Sequence, residues 1–194
     1  TLLWTSILSR LGLVASPIVL AGAVLSLLLG GMRPENERIV FLSNRGQSLD
    51  IHAMDTRSGV VANLTRTHVW DSSPSWSRSA DIIVFETLRD ENLEIYRMHT
   101  SGKDPQRLTD HPNRDISPAL SADGQQVAFI SDRDGNYEIY RVSITGQDLR
   151  RLTYSEMDEN EPRWSPDGQL IVFVADDVGE GNFDIFTVGA DGRD

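Results

Sequence analysis

The sequence predicts an all-β fold, a β-propeller whose blades each consist of several short strands. The first observation is a repeat of 44 residues, which is marked by the equally spaced phenylalanines Phe41, Phe85, Phe129 and Phe173. The second is that each copy holds several short apolar segments separated by turn sequences such as Ser-Gly and Thr-Gly. A period of roughly 40–45 residues, with several short strands in each period, is typical of propeller blades.

Other residues keep the same period. Three prolines, three leucine–threonine pairs and three isoleucines recur at this spacing, namely Pro74, Pro118 and Pro162, Leu64-Thr65, Leu108-Thr109 and Leu152-Thr153, and Ile51, Ile95 and Ile139. The next isoleucine, Ile185, lies 46 residues after Ile139, and we place the two additional residues in the turn at 178–181. So many landmarks in one register indicate a true repeat.

The N-terminal segment, residues 1–32, is predicted to be one transmembrane α-helix that serves as a signal anchor. Residues 11–32 carry no charge, and as a helix these 22 residues would be roughly 33 Å long, enough for a hydrocarbon core of about 30 Å. The alternative is a cleaved signal peptide, whose apolar core has about 7–15 residues before a small-x-small site. The run here is longer, and its Ala21-Gly22-Ala23 site lies inside the run.

One face of this helix carries small residues. Gly22, Ser26 and Gly30 follow one another at intervals of four and therefore share a side. Such a face lets two membrane helices approach closely, so we expect it to pack on a partner's helix; the alternative is that small residues are simply common in membrane helices. The charges on the two flanks nearly balance, and a single anchor followed directly by a domain predicts the propeller on the extracytoplasmic side.

Residues 33–37 form a short polar linker, and residues 38–194 make the propeller. One strand of each copy is apolar on both faces, which indicates a sheet that is covered on both sides, and its phenylalanine is expected in the core. The next strand combines an acid, an apolar and an aromatic residue, as in Glu138-Ile139-Tyr140. We expect these acids to point outward or to accept hydrogen bonds from turn amides.

Two segments carry a family resemblance. The sequences Trp164-Ser165-Pro166-Asp167-Gly168 and Ser131-Asp132-Arg133-Asp134-Gly135, each with its neighbouring strand, resemble the TolB-type (WD-like) propeller repeat. The resemblance covers about residues 38–194 and implies four-stranded antiparallel blades around a central channel. The chain departs from the pattern at residues 77–80, where Ser-Arg-Ser-Ala replaces Ser-Pro-Asp-Gly, and at His52, which stands where an aromatic residue belongs.

The resemblance also implies an incomplete ring. The register enters at the second strand of the first blade and stops before the last strand of the fourth, which gives about three and a half blades. Open end blades leave apolar faces and strand edges in water. We therefore expect the repeats of 38–194 to be incomplete and these residues to belong to a longer polypeptide.

Composition excludes several functions. The net charge is −11, and because Arg10 is the single charged residue among the first 32, the remainder carries −12, which disfavours binding to nucleic acid. The absence of cysteine excludes disulfides, thiol catalysis and cysteine-ligated metals. No Gly-x-Ser-x-Gly nucleophile elbow and no phosphate-binding glycine loop with lysine occurs. We therefore predict no catalytic residue, no metal and no cofactor.

The loops in which the copies differ, 66–73, 110–117 and 154–161, are the predicted functional positions. Their candidate residues at the channel mouth are His68, Asp71, His111, Asp115 and Glu159. These side chains could form a metal or ligand site. The alternative, which we favour, is that each acid caps its own turn and each histidine is solvated.

The retained helix and the lack of catalytic motifs predict a non-catalytic interaction scaffold, or an accessory subunit of a membrane or cell-envelope complex. Its expected partners are the lipid bilayer and other membrane-protein subunits, with no nucleic acid. Two alternatives remain: a ligand-sensing propeller, and the propeller part of a membrane-tethered serine peptidase whose catalytic domain lies elsewhere.

Overall fold

The computed structural model describes residues 38–45, 47–77, 79–176 and 183–193. Across these ranges no helix is long and apolar enough to cross a membrane. The predicted anchor with Gly22, Ser26 and Gly30, and the linker at 33–37, lie outside the described residues. The described architecture is therefore that of the 44-residue repeats.

Within the described ranges, fourteen strands form four antiparallel sheets that follow one another along the chain. The first sheet consists of β1 (Arg38–Ser43), β2 (Asp50–Asp55) and β3 (Val61–Asn63). The second consists of β4 (Asp71–Ser77), β5 (Ile82–Thr87), β6 (Glu94–His99) and β7 (Gln106–Arg107). Strands adjacent in sequence are adjacent in each sheet, so every sheet is an up-and-down meander.

The third and fourth sheets repeat this plan. The third consists of β8 (Asp115–Leu120), β9 (Gln126–Ser131), β10 (Glu138–Ser143) and β11 (Arg150–Arg151). The fourth consists of β12 (Asp158–Trp164), β13 (Leu170–Asp176) and β14 (Phe183–Gly189). The predicted four-stranded antiparallel blade is thus confirmed in the second and third sheets. The first sheet begins at the blade's second strand, and the described part of the fourth ends at its third strand.

Consecutive sheets pack face to face, which creates three junctions. In the first junction β1 and β2 contact β4, in the second β4, β5 and β6 contact β8, and in the third β8, β9 and β10 contact β12. Neighbouring residues of one strand face different junctions: Phe85 lies in the apolar core of the first, and Val84 in that of the second. This alternation explains why these strands are apolar on both faces.

Three of the four repeated phenylalanines lie in the core, as predicted, whereas Phe41 is half-buried. Phe85 and Phe129 are fully buried, and Phe173 is 5% exposed. Each contacts the aromatic side chain directly opposite on the next strand: Phe129 stacks on Tyr140 with ring centroids 5.7 Å apart, Phe173 stacks on Phe186 at 5.8 Å, and the rings of Phe85 and Tyr96 are tilted at 6.0 Å. His52 departs from the repeat pattern but stacks on Phe41 at 5.7 Å, so the imidazole takes the place of the aromatic ring.

The outer face of the fourth sheet is an exception to this burial. Ile51, Ile95 and Ile139 are each 0% exposed, because the following sheet covers them. Ile185, in the same repeat position on β14, is 76% exposed. The described part of the chain therefore leaves one junction-like face open to solvent.

Candidate functional site

Three of the five predicted residues lie at the start of the first strand of a sheet. Asp71 and Asp115 are the first residues of β4 and β8, and Glu159 is the second residue of β12. All three are buried, with at most 1% of the residue exposed. Each acid therefore lies in the packed interior next to its own strand.

Two of these acids each pair with an arginine from the turn after the second strand of the same sheet. Arg133 Nη2 lies 2.8 Å from both carboxylate oxygens of Asp115, and Arg89 Nη2 lies 3.3 Å from Asp71 Oδ1. The Arg133 guanidinium also lies 4.7 Å from the ring centroid of Tyr140, within the range of a cation–π interaction. Arg133 thus connects Asp115, on the first strand of the third sheet, to the stacked rings of Phe129 and Tyr140.

A second set of acids lies on β2, β6 and β10 and comprises Asp50, Glu94 and Glu138. The expectation that they point outward is wrong, because the next sheet covers this face and all three are buried. Glu94 accepts hydrogen bonds from Thr109 Oγ1 at 2.6 Å, Arg107 Nη2 at 2.9 Å and the backbone N–H of His111 at 2.9 Å. The hydrogen bond from a turn amide was predicted, whereas those from the threonine and the arginine were not.

The third junction lacks the Asp–Arg pair of the second and third sheets. In the sequence, the residue 44 places after Arg133 is Asp177. Glu159 instead accepts hydrogen bonds from Thr153 Oγ1 and from Ser155 Oγ at 3.0 Å. Its additional methylene lets Glu159 reach deeper into the junction than an aspartate could.

The environment of Glu159 changes its acidity. Burial raises the pKa of Glu159 to about 7, the hydroxyl of Thr153 opposes this shift, and the negative charge of Glu138 adds to it. Glu159 is therefore partly protonated at neutral pH, unlike an ordinary glutamate.

The two histidines have different surroundings. His68 is exposed, whereas His111 is part of an ordered loop in which its Nδ1 accepts a hydrogen bond from the Asn113 N–H at 3.1 Å. In the part of the chain that the structure describes, no group of three or more His, Asp or Glu side chains could hold a metal ion. The five candidates are thus distributed between loops and junctions and do not converge on a common centre.

Two of the three loops that differ between the copies expose a large aromatic residue. Trp70 is 55% exposed and Tyr154 is 75% exposed. Trp70, His68 and Val69 line an open cavity of about 420 Å³ with residues of the turn at 44–49. The prediction of these loops as functional rests on their acids and histidines, although Trp70 and Tyr154 are equally visible in the sequence.

A bulge in the first strand of three sheets was also missed. The residues before the three strand prolines are Ser73, Ser117 and Glu161, and their φ angles of 49°, 51° and 53° lie in the left-handed region. Residues other than glycine adopt this conformation rarely, and backbone strain of this kind concentrates at functional sites. The available signal was the recurrence of Ser-Pro, Ser-Pro and Glu-Pro every 44 residues.

These bulges surround a polar cavity of about 280 Å³. Its lining includes Ser73, Ser75, Ser117, Glu161 and Arg163, so hydroxyls and both signs of charge face one space. Within the described ranges, the Ser73 and Ser117 hydroxyls and the Glu161 carboxylate make no hydrogen bond to the protein. The cavity therefore offers free donors and acceptors, in contrast to the fully bonded acids of the first and second junctions.

Two solved structures of TolB proteins resemble the chain. A TolB-type protein from Agrobacterium tumefaciens is 24% identical with a TM-score of 0.71, and the match covers 81% of this chain and 59% of that one. TolB from Acinetobacter baumannii is 25% identical with a TM-score of 0.67, and the match covers 77% of this chain and 37% of that one. The chain thus spans less than two thirds of the length of either protein.

The fold also occurs in an enzyme of low sequence identity. A puromycin-hydrolysing peptidase from Mycobacterium tuberculosis is 14% identical with a TM-score of 0.62, covering 80% of this chain and 26% of that one. No curated protein sequence matches the chain significantly. The profile of the TolB beta propeller domain matches residues 80–194, which is more than half of the sequence. Together with the four stacked sheets, this match shows that the chain belongs to the TolB β-propeller domain family.

Proposed function

We propose that the chain is a non-catalytic, membrane-anchored β-propeller that serves as a protein–protein interaction scaffold or an accessory subunit of a membrane or cell-envelope complex. The observation that carries the proposal is the contrast between the residues that are buried and those that are exposed. The acids of the repeat are buried in the junctions, where arginines bind several of them, whereas a large aromatic side chain is exposed on two of the three loops that differ between copies. The residues that define the repeat thus serve folding, which leaves the variable loops for recognition.

The exposed aromatic residues support a protein partner. Tryptophan and tyrosine are enriched at protein interfaces, where a few such side chains supply most of the binding energy. Trp70 stands beside an open cavity, and Tyr154 lies in the corresponding loop two repeats further along. An acidic propeller with these two aromatic residues suits a partner surface that combines apolar and basic groups.

The uncharged N-terminal segment supports membrane anchoring. Residues 11–32 are long enough for one membrane-spanning helix, and the small residues Gly22, Ser26 and Gly30 provide a face for a partner's helix. In this proposal the propeller lies on the extracytoplasmic side. The partners are other membrane-protein subunits and the bilayer itself.

Alanine substitutions at Trp70 and Tyr154 are expected to release the partner without unfolding the propeller. Removing an interface aromatic residue of this kind costs about 2 kcal/mol or more, so the double variant should bind at least about tenfold more weakly. The measurement is quantitative co-purification of the full chain after mild detergent extraction, with the Tm of each variant recorded in parallel.

Leu149→Ala is the matched control, because Leu149 is also a large exposed apolar residue, at 47%, but lies outside the variable loops. It should retain the same partners as the unaltered protein. A monodisperse monomer without partners would contradict the scaffold proposal. Equal loss of partners in Leu149→Ala would contradict the assignment to the variable loops.

Ligand sensing is a second candidate, favoured by the polar cavity between the bulged strands. The hydroxyls of Ser73 and Ser117, the carboxylate of Glu161 and the guanidinium of Arg163, which donates one hydrogen bond to the Pro162 carbonyl, suit a small polar ligand that both donates and accepts hydrogen bonds. A thermal-shift screen with sugars and amino acids is expected to raise the Tm for one class, and Glu161→Gln should remove that rise. Ligands that shift both proteins equally would bind elsewhere, and a screen without any shift would remove this candidate.

A further inference from the structure

The hydrogen bonds of the third junction are arranged differently from those of the second. In the second, Thr109 donates to Glu94 on β6, which is in the same sheet as the threonine. In the third, the corresponding Thr153 donates to Glu159 on β12. The backbone N–H of Ile139 also donates to Glu159, at 3.0 Å. Glu159 thus takes donors from the sheet whose own acid is Glu138.

This exchange leaves Glu138 short of partners. Its Oε1 accepts a hydrogen bond from Arg151 Nη2 at 2.5 Å, but its Oε2 is buried and has no hydrogen-bond partner in the described part of the chain. A buried ionised oxygen without a donor is costly, so the local structure disfavours a full negative charge on both carboxyls.

The number of arginines that contact the buried acids also differs between the two junctions. In the second junction, the buried acids Glu94 and Asp115 contact two arginines, Arg107 and Arg133. In the third, Arg151 contacts Glu138, while the donors to Glu159 are two hydroxyls and a backbone amide, all neutral. Two buried carboxyls therefore share one directly bound cation.

We infer that Glu138 and Glu159 form a buried carboxyl pair that holds one proton near neutral pH and makes the third junction of the propeller weaken as the pH rises. The proton replaces the arginine that neutralises the corresponding acid in the preceding sheet. The pair is a property of this junction alone among the three described, since Asp71 and Asp115 each have an arginine.

The direction of the pH effect follows from the acidity of Glu159. Its pKa is raised from 4.5 to about 7 in the folded protein. Between these two values the unfolded chain has released a proton that the folded chain still holds, so stability falls as the pH rises through this window. The contribution is largest below pH 4.5 and is lost above about pH 7.

Other charged side chains near the pair, besides Arg151, include three aspartates. Arg151 Nη1 also contacts Asp134, in the turn after β9, at 3.2 Å. Asp158 precedes Glu159 on β12 and lies opposite Asp176 of β13, and its Oδ1 accepts a hydrogen bond from the Tyr137 N–H. These carboxylates add negative charge near the pair, which favours the retained proton.

The test compares the full chain with Glu159→Gln, whose amide is neutral at every pH. The Tm is measured from pH 5 to pH 8 in the same detergent. The two proteins should differ little at pH 5, and the difference in favour of Glu159→Gln should grow by at least about 3 °C by pH 8. A Glu159→Gln variant that keeps the full pH dependence of the unaltered protein would overturn the inference.

Glu94→Gln is the matched control, because Glu94 occupies the position of Glu138 in the second junction but has its own threonine and arginine donors. It should lower the Tm without flattening the pH profile. If Glu159→Gln does not fold, ¹³C NMR of side-chain carboxyls in the unaltered protein decides. One glutamate should titrate near pH 7, and a spectrum in which every glutamate titrates below pH 6 contradicts the pair.

Discussion

Replacing Arg133 with alanine is expected to lower the free energy of unfolding by about 3–5 kcal/mol, since it leaves a buried carboxylate without its counterion. Asp115 is fully buried, and both of its oxygens accept a hydrogen bond from the same Arg133 nitrogen at 2.8 Å. The guanidinium also covers the stacked ring of Tyr140. Urea denaturation of the full chain, followed by tryptophan fluorescence, measures the loss.

Two variants separate the lost counterion from other effects. Arg193→Ala removes an exposed arginine that lies 3.7 Å from Asp191, and should change stability by no more than about 0.5 kcal/mol. Asp115→Asn in the Arg133→Ala background removes the orphaned charge, so the double variant should be more stable than Arg133→Ala alone. An additive further loss in the double variant would show that Arg133 acts through packing alone.

The architecture could be predicted because it depends on a pattern that one sequence displays repeatedly. Phe85 and Phe129 occupy the same position in successive copies, and the physical demand of packing one sheet on another is the same each time. A strand that is apolar on both faces implies a sheet that is covered on both sides, and the structure has that arrangement. The family resemblance rested on the same residues and led to the same fold.

The buried charges could not be assigned from the pattern. Acids such as Glu94 and Asp115 were placed at turns or in solvent because ionised groups are rarely buried without partners. Their partners, Arg107 and Arg133, come from other strands and turns, so the pairing depends on the packing of the folded sheet. The motif containing Arg133 was recognised as a repeat signature, but its role as a counterion required the structure.

The fourth sheet differs from the others at positions that are visible in the sequence. The effect of these differences on buried groups can be seen only when the packing of the sheets is known. Glu159 differs from Asp115 by one methylene, a change that usually leaves function intact at the surface. In the buried junction this additional length redirects Thr153 and leaves an oxygen of Glu138 without a donor. Small differences between copies therefore matter most where the shared residues are most tightly packed.

In the chain of residues 1–194, Ile139→Ala is expected to cost about 2–5 kcal/mol of stability, whereas Ile185→Ala should cost no more than about 0.5 kcal/mol. The two isoleucines hold the same position in the repeat, on the strands β10 and β14. Ile139 is fully buried by the following sheet, and Ile185 is 76% exposed. The comparison therefore isolates the effect of burial from that of side-chain chemistry, and chemical denaturation of the two full-length variants measures it.

The size of the Ile185 effect also tests whether the outer face of the fourth sheet is open in solution. Its equivalents Ile51, Ile95 and Ile139 all lie in apolar junctions, so the face has the chemistry of a surface that a further sheet could cover. A loss at Ile185 as large as that at Ile139 would mean that this face is buried in the intact protein. A negligible loss would mean that the face stays in water, where an exposed apolar surface favours association with other molecules.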